Sequence, residues 1–301
     1  MSILLSSAKS GINAAELLEE YRISNADAGK NLMFALLCDL PEAQTQACPE
    51  DAEYIEQAAR KIAELNEKYG GGFFVFYRKR VKCERDGVFR GWERKRGAIL
   101  ELCRYLDGGD SSVILAGGDE SFVKGVGVKY LIALDSDTRL SAGTARELVG
   151  AAMHPLNRPV VTDGVVTQGS AVIQPRVSVN LRAASCTDFA LLFAGQGGID
   201  PYGGTSSDLY QNMFGTGSFT GKGIIDVGAY LECLGNRFPE NRILSHDLLE
   251  GAFLRCAFAG DIELTDGFPS NVKSYYSRMH RWTRGDWQLI PWLRRRVENG
   301  R

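Results

Sequence analysis

The chain has 301 residues, 44% of them hydrophobic and 24% charged, which is enough apolar material for one large core or two small ones and excludes a disordered polymer. Its formal net charge of −2 supplies no global field for nucleic acid, so no nucleic-acid partner is expected. Seven scattered cysteines without a Cys-x-x-Cys pair, and three widely spaced histidines, disfavour a zinc site and a disulfide framework and fit a reducing compartment.

Ser2–Leu5 reads as a short strand and Ala14–Tyr21 as a helix. Leu32–Cys38 is an unbroken apolar run that ends at Asp39, as a buried parallel strand would. Ala52–Tyr69 is amphipathic and stops at Gly70-Gly71-Gly72, and Phe73–Tyr77 is the next strand. A basic run follows, Arg78 to Arg96, compatible with a solvated face or with an anion site. Glu93–Leu106 reads as a helix, Tyr130–Leu134 as a strand ending at Asp135, and Ala142–Ala152 as a helix. This alternation predicts an α/β fold around a mostly parallel sheet, in which ligands bind beyond the carboxyl ends of the strands. Asp39 and Asp135 both stand at such ends.

The second half is less regular. Val160–Val172 is β-rich and broken by glycine, and Gly195–Gly223 is crowded with Gly, Ser, Thr and Asp, as functional loops are. Helical signal returns at Asp247–Ala257 and after Ser277. No segment approaches the about 18–20 apolar residues of a membrane span, and Met1–Leu5 is too short and uncharged for a signal peptide. The chain therefore reads as soluble or peripheral, or as a piece of a longer membrane protein.

Five motifs carry chemistry. In Asp135-Ser136-Asp137, residues i and i+2 of an extended chain face one side, so both carboxylates can share a hard cation such as Mg2+ or Mn2+ that also binds phosphate. In Ser245-His246-Asp247, Ser245 suits an N-cap and Asp247 the first helical turn, where the helix dipole favours an ionised carboxylate that could act as general base. First-turn acids are also common for stability alone. The segment from Ser277 to Trp287 joins Arg278 and Arg281 with Trp282, a phosphate-binding chemistry beside a flat face for sugar. With Trp287 and Trp292 it also suits a helix at a membrane surface or one packed on the core.

Gly91-Trp92-Glu93-Arg94-Lys95-Arg96-Gly97 opens a helix with basic residues, a natural phosphate site or an ordinary solvated helix end. Phe214–Gly223 mimics a P-loop but fails its spacing, since Gly223 stands where Ser or Thr should follow Gly221-Lys222. A glycine-rich wall beside an acceptor sugar, with Gly217 and Ser218, is the better reading.

The order of Asp39, Asp135-Ser136-Asp137, His246-Asp247 and Arg278-x-x-Arg281-Trp282 resembles the motif series of processive inverting glycosyltransferases with the GT-A fold, such as cellulose and hyaluronan synthases. A closer resemblance is to the glycosyltransferase domain, family 84, of cyclic β-1,2-glucan synthases. It is carried by Gly91–Gly97, His154-Pro155-Leu156-Asn157-Arg158-Pro159, Gln174–Ser178, Gly198–Tyr202, Gly217–Gly223, Pro239-Glu240-Asn241, Ser245–Gly251 and His280–Gln288. It covers nearly the whole chain.

That resemblance implies one GT-A domain with a nucleotide-binding half (1–140) and an acceptor-side half (141–301) ending in an interface helix. It implies UDP-glucose as donor and a growing β-1,2-glucan as acceptor, with inversion. Asp39, Lys95, Arg96, Asp135, Arg278 and Arg281 would bind the donor, Asp135 and Asp137 the metal. Asp247 would be the base, and His246, Trp282, Gly217 and Ser218 would meet the acceptor. The resemblance also implies a place on the cytoplasmic face of the inner membrane, within a larger membrane-embedded synthase. Arg278 and His246 depart from the cellulose-synthase pattern. A sugar nucleotidyltransferase, or a non-catalytic glucan-binding or membrane scaffold domain, are the alternatives.

Overall fold

The computed structural model describes residues 1–195, 208–240, 242–243 and 247–293. In chain order, β1 (Ser2–Ser7) and α1 (Gly11–Ser24) precede β2 (Phe34–Asp39), α2 (Asp51–Tyr69) and β3 (Phe73–Arg78). A small ladder of β4 (Val81–Lys82) and β5 (Phe89–Arg90) leads to α3 (Arg94–Leu106), β6 (Val113–Gly117), α4 (Glu120–Val126) and β7 (Tyr130–Asp135). Then come β8 (Arg139–Leu140), α5 (Thr144–Met153), β9 (Val160–Thr162), β10 (Val165–Gln168), β11 (Val172–Val179), α6 (Leu181–Ala184), α7 (Asp188–Phe193) and α8 (Leu209–Phe214). The last elements are β12 (Gly223–Asp226), α9 (Val227–Leu234), α10 (Asp247–Leu254), β13 (Ala257–Asp266) and α11 (Val272–Trp287).

The chain divides into two compact units. The first comprises residues 1–136 and 224–231, and its strands run in the order β6-β3-β2-β1-β7-β12. β1 lies parallel to β2 and to β7, and β2 parallel to β3. These strands are near-continuously apolar because both faces are covered: Ile3, Leu4, Leu36, Phe73, Phe76, Ala133 and Leu134 are all buried. α2 contributes Ala58, Ile62 and Leu65, spaced along one helical face. Gly70, at φ 74°, ends it, and its N–H donates to the Asn66 carbonyl. The register sets Asp39 opposite Ser7 and Asp135 opposite Leu5, so the carboxyl ends of β2 and β7 flank β1 at one edge of the sheet.

The second unit comprises residues 137–223 and 232–301. In its described part β11 pairs parallel with β13, β13 antiparallel with β8, and β9 antiparallel with β10. The first unit's long segment ends at Ser136, and residues 224–231 belong with it. There β12 adjoins β7 and the Val227 N–H donates to the Lys129 carbonyl.

The predicted elements of the first half are all present, with ends shifted by a few residues. β6 was not anticipated, although Val113-Ile114-Leu115-Ala116 is a short apolar run; it runs antiparallel to β3 and is mostly half-buried. α10 stops at Leu254 rather than Ala257 because Arg255 takes a left-handed φ of 51°. α11 begins at Val272, ahead of Ser277, because the Asn271 side chain accepts from Ser274 N and caps it. No helix among the described residues is long and apolar enough to cross a membrane.

Candidate functional site

In the first unit, Asp39 at the end of β2 receives two parallel hydrogen bonds of 2.7 Å from Arg78 Nε and Nη2. The Arg78 side chain is fully buried, while that of Asp39 is 36% exposed. Arg78 also donates to the Trp92 and Arg94 carbonyls, each at 2.7 Å. Gly91 is required beside this pair, because a Cβ there would sit 2.6 Å from Arg78 Nη2 and 2.9 Å from Asp39 Oδ1.

At the end of β7, Asp135 Oδ1 accepts from Lys95 Nζ at 2.7 Å. Arg96, expected beside Lys95 at the donor, is instead packed inside the unit at 3% exposure, 3.1 Å from Glu93 and over the Trp92 ring. Successive helical residues project about 100° apart, so Lys95 and Arg96 do not share a target. The basic run is therefore two populations: Arg78, Arg80 and Arg96 are buried and ion-paired, whereas Lys79 and Lys82 are exposed.

In the second unit, Asp137 Oδ2 lies 3.3 Å from Arg278 Nη2. Gly267 N–H donates to the Asp137 carbonyl at 3.1 Å, and a Cβ on Gly267 would press on Asp137 Cβ at 3.2 Å. The next residue, Thr138, is fully buried and donates to Asp266 Oδ1 at 2.7 Å. Lys222 pairs with the other oxygen of Asp266, so the lysine of the glycine-rich segment is committed to a carboxylate. Gly217 is buried, its N–H donates to the Cys256 carbonyl at 2.7 Å, and a Cβ would stand 3.2 Å from Phe258 N. It packs against the start of β13; the adjoining Ser218 is half-buried.

Asp247 opens α10, half-buried, and Gly251 lies four residues on, on the same helical face. A Cβ on Gly251 would meet Phe219 Cβ at 2.7 Å, so the glycine lets α10 lie against the 217–223 segment. Gln174, fully buried, holds that segment by accepting from Thr220 N and Oγ1 at 3.0 and 3.1 Å. On α11, Arg278 and Trp282 are half-buried and one turn apart, while Arg281 is exposed. Trp287 is 69% exposed, whereas Trp292 sits edge-on to Phe238. Ser245, His246, the Gly198–Tyr202 string and Arg294–Arg296 lie outside the described residues.

Among the described residues no group of three or more His, Cys, Asp or Glu side chains forms a ready metal cage. Asp135 and Asp137, two residues apart in the chain, are 34% and 37% exposed, and each already holds a cation. Mg2+ commonly takes one or two carboxylates and completes its shell with water and substrate phosphate. Either carboxylate alone fits a metal that arrives with a diphosphate better than one held by protein alone.

Sequence reasoning did not single out Arg78, Asp266, Lys222 and Gly251 for these contacts. For Arg78 a signal existed: it ends the buried β3 beside the β2 end that carries Asp39, with the register pairing the two residues.

No family model matches the chain. Over 270 residues, 87% of its length, the chain is 44% identical to cyclic β-(1,2)-glucan synthase NdvB of Rhizobium meliloti (strain 1021). The chain spans only 9% of that relative's length. Two solved structures of S. aureus TarS 1–349 are also similar. One, in complex with UDP-GlcNAc, has 11% identity and a TM-score of 0.46, covering 90% of this chain and 59% of TarS 1–349. The other has 10% identity and a TM-score of 0.47, covering 96% and 64%. Likeness at that level bears no weight for the site. The 44% identity, sustained across almost the whole chain, makes it a homologue of one segment of a cyclic β-(1,2)-glucan synthase, the family its motif strings resemble.

Proposed function

We propose that the chain is an inverting glycosyltransferase module that moves glucose from UDP-glucose onto a growing β-1,2-glucan, with Mg2+ or Mn2+. The observation that carries this reading is the pairing of Lys95 with Asp135 at a strand end, one strand removed from the Asp39–Arg78 pair. Carboxyl ends of parallel strands are where α/β sheets bind nucleotides. A lysine held on a carboxylate there is poised to take a phosphate oxygen instead.

In this reading Asp39 accepts hydrogen bonds from the uridine and Lys95 takes a diphosphate oxygen; Arg278 and Arg281 are assigned to the donor by the order of the sequence motifs alone. The acceptor sugar lies against Trp282, with His246 and Ser218 on its side. The acceptor hydroxyl gives its proton to the Asp247 carboxylate as its oxygen bonds to the anomeric carbon. The bond from that carbon to the diphosphate oxygen breaks, and UDP leaves with the electron pair. A single displacement inverts the anomeric centre. When bound, Mg2+ or Mn2+ on Asp135 or Asp137 neutralises charge on the leaving diphosphate. The homologue's much greater length supports a module that works as one part of a larger synthase, and we place it on the cytoplasmic face of the inner membrane.

Incubation of the chain with radiolabelled UDP-glucose and a β-1,2-glucan acceptor, followed by linkage analysis, tests the proposal. Label in new β-1,2 linkages with release of UDP is the expected result. Pyrophosphate formed from UTP and a sugar phosphate would replace it with a nucleotidyltransferase. Absence of both activities, with glucan still bound, would leave a scaffold.

A further inference from the structure

We infer that Arg78 is a positioning residue for the donor, acting through Asp39 and Lys95 together; this rests on the donor reading above. Arg78 is fully buried and places four hydrogen bonds of 2.7 Å from one guanidinium. Two go to Asp39, leaving lone pairs on that half-exposed carboxylate for a ligand. The other two grip the Trp92 and Arg94 carbonyls. Between and at these carbonyls the backbone is strained: Glu93 and Arg94 both have φ of 51°, a left-handed conformation that side-chain-bearing residues rarely adopt.

That strained turn starts α3, and the next residue is Lys95, whose Nζ rests on Asp135. One planar group therefore ties the end of β2 to the turn that aims Lys95 at the end of β7. An arginine fork can make all four bonds at once; an ammonium on a flexible stem cannot. Gly91 belongs to the same device, since any Cβ there would displace the guanidinium.

The test compares the wild-type chain with Arg78→Lys, Lys95→Met and Asp135→Asn, following thermal unfolding, UDP affinity by calorimetry with Mn2+, and the rate at which Lys95 is acetylated by a soluble reagent. With Arg78→Lys folded, acetylation of Lys95 should rise to the rate seen in Asp135→Asn. UDP affinity should fall by about 10- to 100-fold, as for the loss of one charged hydrogen bond. Adding Lys95→Met to Arg78→Lys should weaken UDP binding little further, because the lysine is already misplaced. An unchanged acetylation rate in folded Arg78→Lys overturns the inference. Should Arg78→Lys fail to fold, Gly91→Ala takes its place, since it crowds the guanidinium without removing a charge; wild-type acetylation and UDP affinity in Gly91→Ala overturn the inference equally. Failure of the wild-type chain to bind UDP removes the donor reading instead, and the acetylation rates still decide whether Arg78 positions Lys95.

Discussion

Lys95 and Asp135 are 40 residues apart in the chain and 2.7 Å apart in space. The pair is about one-third exposed on each side, so solvent weakens it and a ligand can compete for either member. Lys95→Met should reduce UDP-glucose affinity by about 10- to 100-fold, the worth of a charge-assisted hydrogen bond to phosphate. Unfolding temperature should hardly change, because a pair this exposed contributes little to stability. Calorimetry and a thermal melt on the same variant separate the two effects.

Asp247 opens α10 with its side chain half-buried. Asp247→Asn keeps the shape and removes the base. Turnover should drop by about 10²–10⁴ while UDP-glucose still binds. Turnover equal to wild type would take Asp247 out of the mechanism.

Dependence on a divalent cation is expected to run through Asp137. Its present partner is Arg278 at 3.3 Å, a long contact that a metal would replace. Mn2+ should tighten UDP binding to the wild-type chain, and Asp137→Ala should erase the difference between titrations with and without Mn2+. Metal-independent binding by the wild type would count against a metal role for this residue.

Two glycines in helices should respond to alanine with opposite signs. Gly150 in α5 has open space where a Cβ would go, so Gly150→Ala should stabilise the chain by about 0.5–1 kcal/mol through helix propensity. At Gly251 the new methyl meets Phe219 at 2.7 Å, so Gly251→Ala should cost about 1–3 kcal/mol. It should also lower turnover, because it moves the helix that begins at Asp247. Urea melts and steady-state rates on both variants check this.

Asp51 and Arg80 supply a pH dependence of stability. Arg80 is 2% exposed and donates to both Asp51 oxygens, at 2.5 and 2.7 Å. The Arg80 guanidinium, aided by the Cys48 N–H, holds the Asp51 carboxyl below its usual value. A depressed carboxyl contributes stability that is present above its unfolded pKa of about 3.9, and that is lost as pH falls through the lower folded value. Wild-type stability should therefore hold from pH 7 to about pH 5 and decline below about pH 4. Asp51→Asn should lose about 1–3 kcal/mol near neutrality, because the buried guanidinium loses its counter-charge while keeping the Pro41 and Gln46 carbonyls, and its decline below about pH 4 should be shallower. Urea melts across that range measure both.

Much of the first unit was legible because its strands are buried on both faces and its helices on one, and both patterns are written in residue order. Leu36 and Leu37 before Asp39, or Ala133 and Leu134 before Asp135, need no tertiary information to be read as strand ends. β6 escaped although Val113-Ile114-Leu115-Ala116 is apolar, because a run of four does not by itself separate a strand from a piece of helix. The second unit was harder to read because short strands and glycine-bearing loops leave little periodicity. There Gly217, expected at a ligand, is a close-packing position.

The sequence alone determined which residues carry charge and where along the chain they stand: aspartates at two strand ends, an acid at the start of α10, and a basic turn before α3. Which cation each carboxylate holds is settled by the folded chain. Asp39 went to Arg78, Asp135 to Lys95, Asp137 to Arg278, and Asp266 to Lys222. The physical reason is range. Strand and helix patterns repeat within a few residues, whereas these ion pairs join positions 39 to 141 residues apart, and sheet register and helix packing fix which of many available partners comes within reach.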